Sequence, residues 1–243
     1  MPEYYQSNNR LEVNEKKRYT EKRHGVAGQR FREMEMDGMN RAAGQRLPLM
    51  TTLLVTVNVV IFLLTDFFFF QEQEKLAYYM AMNPVLVTKY GEYWRLFTSM
   101  FYHFDIEHVL FNMVALYFAG TMLEPFFGKW RYLLLYFASG LFADVASVFY
   151  YSVIARENAE VVFAAGASGA VYGLIGAYVS VMLFFREWLS REEKIRIPLM
   201  VFVLLFGNLS EKSIGHAAHF GGFIAGGLLG FGYCVYLRKR RRG

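Results

Sequence analysis

A chain of 243 residues that is 55% hydrophobic, 18% aromatic and only 19% charged is too apolar for an ordinary soluble domain, where about 45–50% apolar and about 25% charged is usual. The net charge of +5 comes from basic residues that flank apolar stretches and form no folded basic face, which argues against a nucleic-acid binder. The single cysteine, Cys234, leaves no internal disulfide framework and reads as a small buried or lipid-facing residue.

Met1–Arg46 is polar and rich in Arg, Lys, Glu and Asn. It is expected to be a cytosolic extension, disordered or weakly helical over residues 30–39. The first apolar run comes after it, so no signal peptide is expected. Residues 47–243 are expected to form one membrane domain of six apolar segments: Leu47–Phe70, Ile106–Leu123, Trp130–Tyr151, Ala167–Phe185, Ile195–Leu209 and Gly215–Leu237. A membrane helix needs about 20 apolar residues. The fifth segment is short and carries Pro198 near its start, which predicts a span packed against protein and the most mobile of the six.

The connection 71–102 is long, with Trp94, Arg95 and several other aromatics. Connections of that length are functional or disordered, and the aromatics predict a position in the outer membrane interface. Lysine and arginine number 11 on one set of connections, from Lys129 to Arg242, and 5 on the other, from Lys75 to Lys212. Both termini are therefore predicted to be cytosolic, with segments two, four and six beginning at the outer face.

Polar residues inside membrane helices are costly and demand a reason. His103 and His108 lie beside the start of the second segment, and His216 and His219 at the start of the sixth. Asn112 follows His108 by four residues, which puts both on one helical face. Ser168 stands at the start of the fourth segment, inside Gly166-Ala167-Ser168-Gly169. Common outer starts give Ser168, His219, His108 and Asn112 a similar depth. Gly169, Gly173 and Ala177 repeat at spacing four, as do Ala218, Gly222, Gly226 and Gly230. Such stripes let membrane helices approach closely, so a Ser168–His219 contact is geometrically reasonable. A serine hydroxyl becomes a nucleophile when a base within about 2.6–3.2 Å takes its proton, and a neutral histidine serves well.

Gly-Ala-Ser-Gly-Ala-Val-Tyr at 166–172, Ala-His-Phe-Gly-Gly at 218–222 and His-Val-Leu-Phe-Asn at 108–112 together resemble the rhomboid intramembrane serine proteases. Trp94-Arg95, Gly120 and Glu124 fit the same pattern. The resemblance implies an all-α bundle of six transmembrane helices and a Ser168–His219 dyad without an aspartate. It implies that His108, Asn112 and the Ser168 backbone N–H bind the oxyanion, that Tyr172 packs on the His219 ring, and that Gly166 and Gly169 support the nucleophile. The helix-five side is implied to act as a substrate gate. The implied substrates are single-span membrane proteins, cut near the outer face at small residues where the helix unwinds easily, with no metal or cofactor. The implied location is a bacterial plasma (inner) membrane. His216 departs from the pattern, and Ala218 and Phe220-Gly221-Gly222 favour His219 as the base.

Each residue alone has a plainer reading: Ser168 as a helix-start residue, His219 as an interhelical hydrogen bonder, Asn112 as a polar clamp, His103 as an interfacial residue. Glu124 and Trp94-Arg95 read as structural pins. A metal handler built on His216, His219, His108 and Glu107 lacks a His-Glu-x-x-His or cysteine pair and leaves the Ser168 glycine motif unexplained. Non-catalytic rhomboid-like trafficking factors typically lack the serine or the histidine, and this chain keeps both.

Overall fold

This computed structural model describes residues 48–156, 159–189, 191, 194–195 and 215–240. The extension 1–46 and the fifth expected segment beyond Ile195, with Pro198, lie outside the described residues.

The first helix, α1 (Leu49–Leu63), begins at Pro48, which offers no side chain to cap it. The cap comes from far along the chain. The Glu124 carboxylate accepts the Thr51 N–H at 2.8 Å, the Met50 N–H at 3.0 Å and the Thr51 hydroxyl at 2.9 Å. This satisfies orphan first-turn donors and puts negative charge at the positive end of the helix dipole. Glu124 is therefore a structural pin, as its sequence setting suggests.

A looped stretch of three short helices follows: α2 (Gln73–Met80), α3 (Pro84–Tyr90) and the single turn α4 (Arg95–Thr98). Arg95 is fully buried at its centre. Its Nε donates to Glu92 at 2.6 Å, and Nη1 donates to the carbonyls of Ala81, at 3.0 Å, and Tyr78. A cation there faces the negative end of α2 and fills its orphan carbonyls. Asn83 caps α3 by accepting the Leu86 N–H at 2.9 Å, while its Nδ2 donates to the carbonyls of Val162 at 2.8 Å and Glu160 at 3.1 Å. Met82 and Ala164 exchange both backbone hydrogen bonds, at 2.8 and 2.9 Å. The loop thus grips the segment that leads into Ser168.

Next comes α5 (Ile106–Phe127), started by Asp105, whose carboxylate accepts the His108 N–H at 2.7 Å. The helix runs through Pro125 to Phe127, beyond the expected end at Leu123. Proline removes one amide donor, yet the last turn closes with the Gly128 N–H on the Glu124 carbonyl at 2.8 Å. Gly128, at φ 77°, then turns the chain into α6 (Lys129–Phe149).

The last two helices are α7 (Ser168–Phe185) and α8 (His216–Arg240). Wider turns prolong α1 to Phe68 and α6 to Ile154. With these, five helices among the described residues are long and apolar enough to cross a membrane: Leu49–Phe68, Ile106–Phe127, Lys129–Ile154, Ser168–Phe185 and His216–Arg240. The most buried of the five is α7, packed by α5, α6 and α8. Its closest neighbour is α8, because the small-residue stripes meet one for one. A Cβ on Gly222 collides with the Gly169 carbonyl, one on Gly226 with the Gly173 carbonyl, and one on Gly230 with the backbone of Ala177. Across the same seam the Ser180 hydroxyl donates to the Gly227 carbonyl at 2.9 Å.

Candidate active site

Three helix starts converge on one region: α5 after Asp105, α7 at Ser168 and α8 at His216. Each contributes the positive end of a dipole, an environment that favours developing negative charge. Ser168 Oγ lies 2.9 Å from His219 Nε2, hydrogen-bonding distance for a hydroxyl and a base. The close α7–α8 seam is what permits it, since Ser168 and His219 adjoin the two glycine stripes. The Tyr172 ring, one turn after the serine, stacks on the other side of His219, with centroids 4.2 Å apart and planes at 15°. His216, three residues earlier on α8, is exposed.

Gly166 has φ 114°, a conformation that favours glycine, and its N–H donates to the Ser99 carbonyl at 2.8 Å. A Cβ there would also run into the His108 ring. Gly166 therefore brings the loop ahead of Ser168 against His108, and Asn112 lies just beyond. Gly169 serves both seams, since a Cβ on it would meet Ala143 of α6. Asn112 is 2% exposed, and its Nδ2 donates back to the His108 carbonyl at 2.9 Å. Its Oδ1 has no partner among the described residues. Nδ2 carries a second N–H, so the amide can keep this bond and still donate to another oxygen.

His103, expected to be interfacial, is enclosed by the fold. It is 2% exposed, its ring stands edge-on to His108 at 5.0 Å, and its Nε2 accepts the Ala167 N–H at 3.3 Å. Burial, and then the His108 ring beside it, push its pKa down to about 3. A neutral ring with Nε2 as acceptor fixes the residue immediately before the serine. Sequence spacing also hides Ser99 and Asp144, which meet at 2.6 Å next to the site.

A cavity of about 130 Å³ opens beside the serine, and its lining includes Ser168, His219, Asp144, Gly166, Gly169 and Gly215. Among the described residues, no three His, Cys, Asp or Glu side chains cluster as a metal site. The arrangement suits attack by a serine oxygen on an acyl group in a mostly apolar enclosure.

A sequence model of the Rhomboid domain matches residues 90–236. Rhomboid protease GluP of Bacillus subtilis is 32% identical over 180 residues, which cover 74% of this chain and 34% of that protein. Putative rhomboid protease YdcA of the same organism is 35% identical over 152 residues, covering 62% of this chain and 72% of that protein. Rhomboid protease AarA of Providencia stuartii is 25% identical over 208 residues, covering 79% of this chain and 74% of that protein. The chain thus spans about a third of GluP and most of the other two. With the domain match covering most of its length, this helical membrane chain belongs to the rhomboid family.

Proposed function

We propose that this protein is an intramembrane serine endopeptidase that hydrolyses peptide bonds of other membrane proteins with a Ser168–His219 dyad. The observation that carries the reading is the 2.9 Å separation of Ser168 Oγ and His219 Nε2 at the wall of a cavity. In the reaction, Ser168 Oγ attacks the scissile carbonyl carbon while His219 Nε2 takes its proton. The tetrahedral oxyanion is held by the Ser168 N–H, the His108 ring and the Asn112 amide. His219 then passes its proton to the leaving amine, and the C–N bond breaks. A water molecule, deprotonated by His219, hydrolyses the acyl-enzyme and restores the serine hydroxyl. Fixed donors matter here because losing one typically lowers turnover on the order of 10²–10³-fold.

The same reading carries a sixth span at 195–209, cytosolic termini, and an active site near the outer face of a bacterial plasma membrane. The surplus of Lys and Arg on the connections of the opposite side supports this orientation. Residues 1–46 then form a separate cytosolic extension. Substrates are single-span proteins whose helix unwinds near the cut, since an intact helix keeps its carbonyls bonded.

The test is cleavage of a single-span membrane substrate in liposomes by wild type and Ser168→Ala, with and without a metal chelator. Cleavage that disappears in the variant and ignores the chelator supports the dyad. Cleavage that survives the variant removes Ser168 as nucleophile, and cleavage stopped by the chelator points to a metal instead.

A further inference from the structure

The cavity beside the dyad is walled mainly by residues with little or no side chain, among them Gly140, Gly166, Gly169, Ala164 and Ala170. Among its described lining residues only three side chains are polar: Ser168, His219 and Asp144. The first two are used by the proposed chemistry. Asp144, on α6, is not: its Oδ2 accepts the Ser99 hydroxyl at 2.6 Å, and it makes no bond to His219.

A carboxylate has about four acceptor positions, and one hydroxyl satisfies one of them. Burying a charge with its remaining lone pairs unmet is costly, so a carboxyl so placed takes up a proton unless a cation meets it. Asp144 is only 9% exposed, and it is one of the residues that line the cavity. A purely structural clamp between Ser99 and α6 needs no charge, since an asparagine oxygen accepts the same hydroxyl.

Resting on the protease reading, we infer that Asp144 is a specificity-determining residue: it makes the cavity a subsite for a cationic, donor-bearing side chain, lysine or arginine, on the acyl side of the scissile bond. The geometry follows from the reaction. Reacting atoms approach to about 3–3.5 Å before attack, and the acyl-side Cα is bonded to the carbon attacked. Its side chain must therefore occupy space adjoining Ser168 Oγ, and this cavity adjoins both Ser168 and Asp144. A lysine or arginine entering it supplies the missing donors and neutralises the carboxylate, whereas a glutamate adds a like charge. The preference goes beyond the small residues that family resemblance implies at the cut.

The test uses three single-span substrates identical except for alanine, lysine or glutamate before the scissile bond, in liposomes with the full chain. Wild type, Asp144→Asn and Ser99→Ala are compared by the ratio of kcat/KM between substrates, with Ser168→Ala as the blank. Wild type is expected to favour lysine over glutamate, and Asp144→Asn to lower that ratio at least about tenfold, the scale for removing one partner of an enclosed charge pair. Ser99→Ala removes the clamp and leaves the carboxyl in place, so at alkaline pH, where that carboxyl is ionised, its ratio stays on the lysine side. Ser168-dependent cleavage with the same substrate ranking in wild type and Asp144→Asn overturns this inference alone. A ratio that collapses in Ser99→Ala as fully as in Asp144→Asn also overturns it, in favour of a clamp. Absence of Ser168-dependent cleavage of all three overturns the protease reading and this inference with it.

Discussion

Tyr172 lies flat against His219, ring centroids 4.2 Å apart, on the helix that also carries Ser168. The stack restricts the imidazole to planes in which Nε2 meets Ser168 Oγ at 2.9 Å. One helix therefore carries both the serine and the ring stacked on the histidine that faces it.

Replacing Tyr172 with alanine frees that ring. Misplacing a catalytic group by about 1 Å costs up to about a hundredfold in rate. Tyr172→Ala is expected to lower kcat on the order of tenfold or more, with little change in KM, in a steady-state assay on a single-span substrate. An unchanged kcat removes Tyr172 from the positioning role.

His219→Ala is expected to abolish cleavage as Ser168→Ala does, because His219 Nε2 is the base within hydrogen-bonding distance of Ser168 Oγ among the described residues. His216 is exposed and lies three residues away on α8, so His216→Ala is expected to keep substantial activity. The opposite pattern in matched liposome assays moves the base to His216.

Asn112→Ala is expected to slow turnover without stopping it. The Ser168 N–H and the His108 ring remain as donors, so the loss stays within about 10²–10³-fold. Single-turnover rates report the step directly. A rate equal to wild type excludes the Asn112 amide from the oxyanion site and leaves it as the clamp on the His108 carbonyl seen at 2.9 Å.

Glu124 accepts three hydrogen bonds from Met50 and Thr51, so Glu124→Ala strands buried donors at the start of α1. Each such orphan costs about 1–3 kcal/mol. A clear drop in Tm in detergent is expected, with Glu124→Gln falling between the variant and wild type because one oxygen still accepts. Equal Tm values for all three contradict the pin.

Much of this architecture is legible in the chain itself. Hydrophobic length locates the described spans to within a few residues, because crossing a bilayer sets a minimum apolar run. Glycine spacing at 169, 173, 222 and 226 announces the α7–α8 seam, since only small residues allow backbones to touch. Ser168 and His219 stand out because each is a polar group adjoining that seam, Tyr172 only through the rhomboid resemblance, and the fold brings all three together.

Other relationships have no local signature. The cap of α1 lies 73 residues from Thr51, and the Ser99–Asp144 bond spans 45 residues. His103 reads as interfacial from the sequence, and only the fold shows its contact with Ala167. Sequence by itself determined the membrane class, the five described spans and the dyad candidates, because periodicity and apolar length are properties of neighbours along the chain. Only the tertiary structure decided which polar groups meet across helices, because a buried donor or acceptor must find a partner wherever packing supplies one.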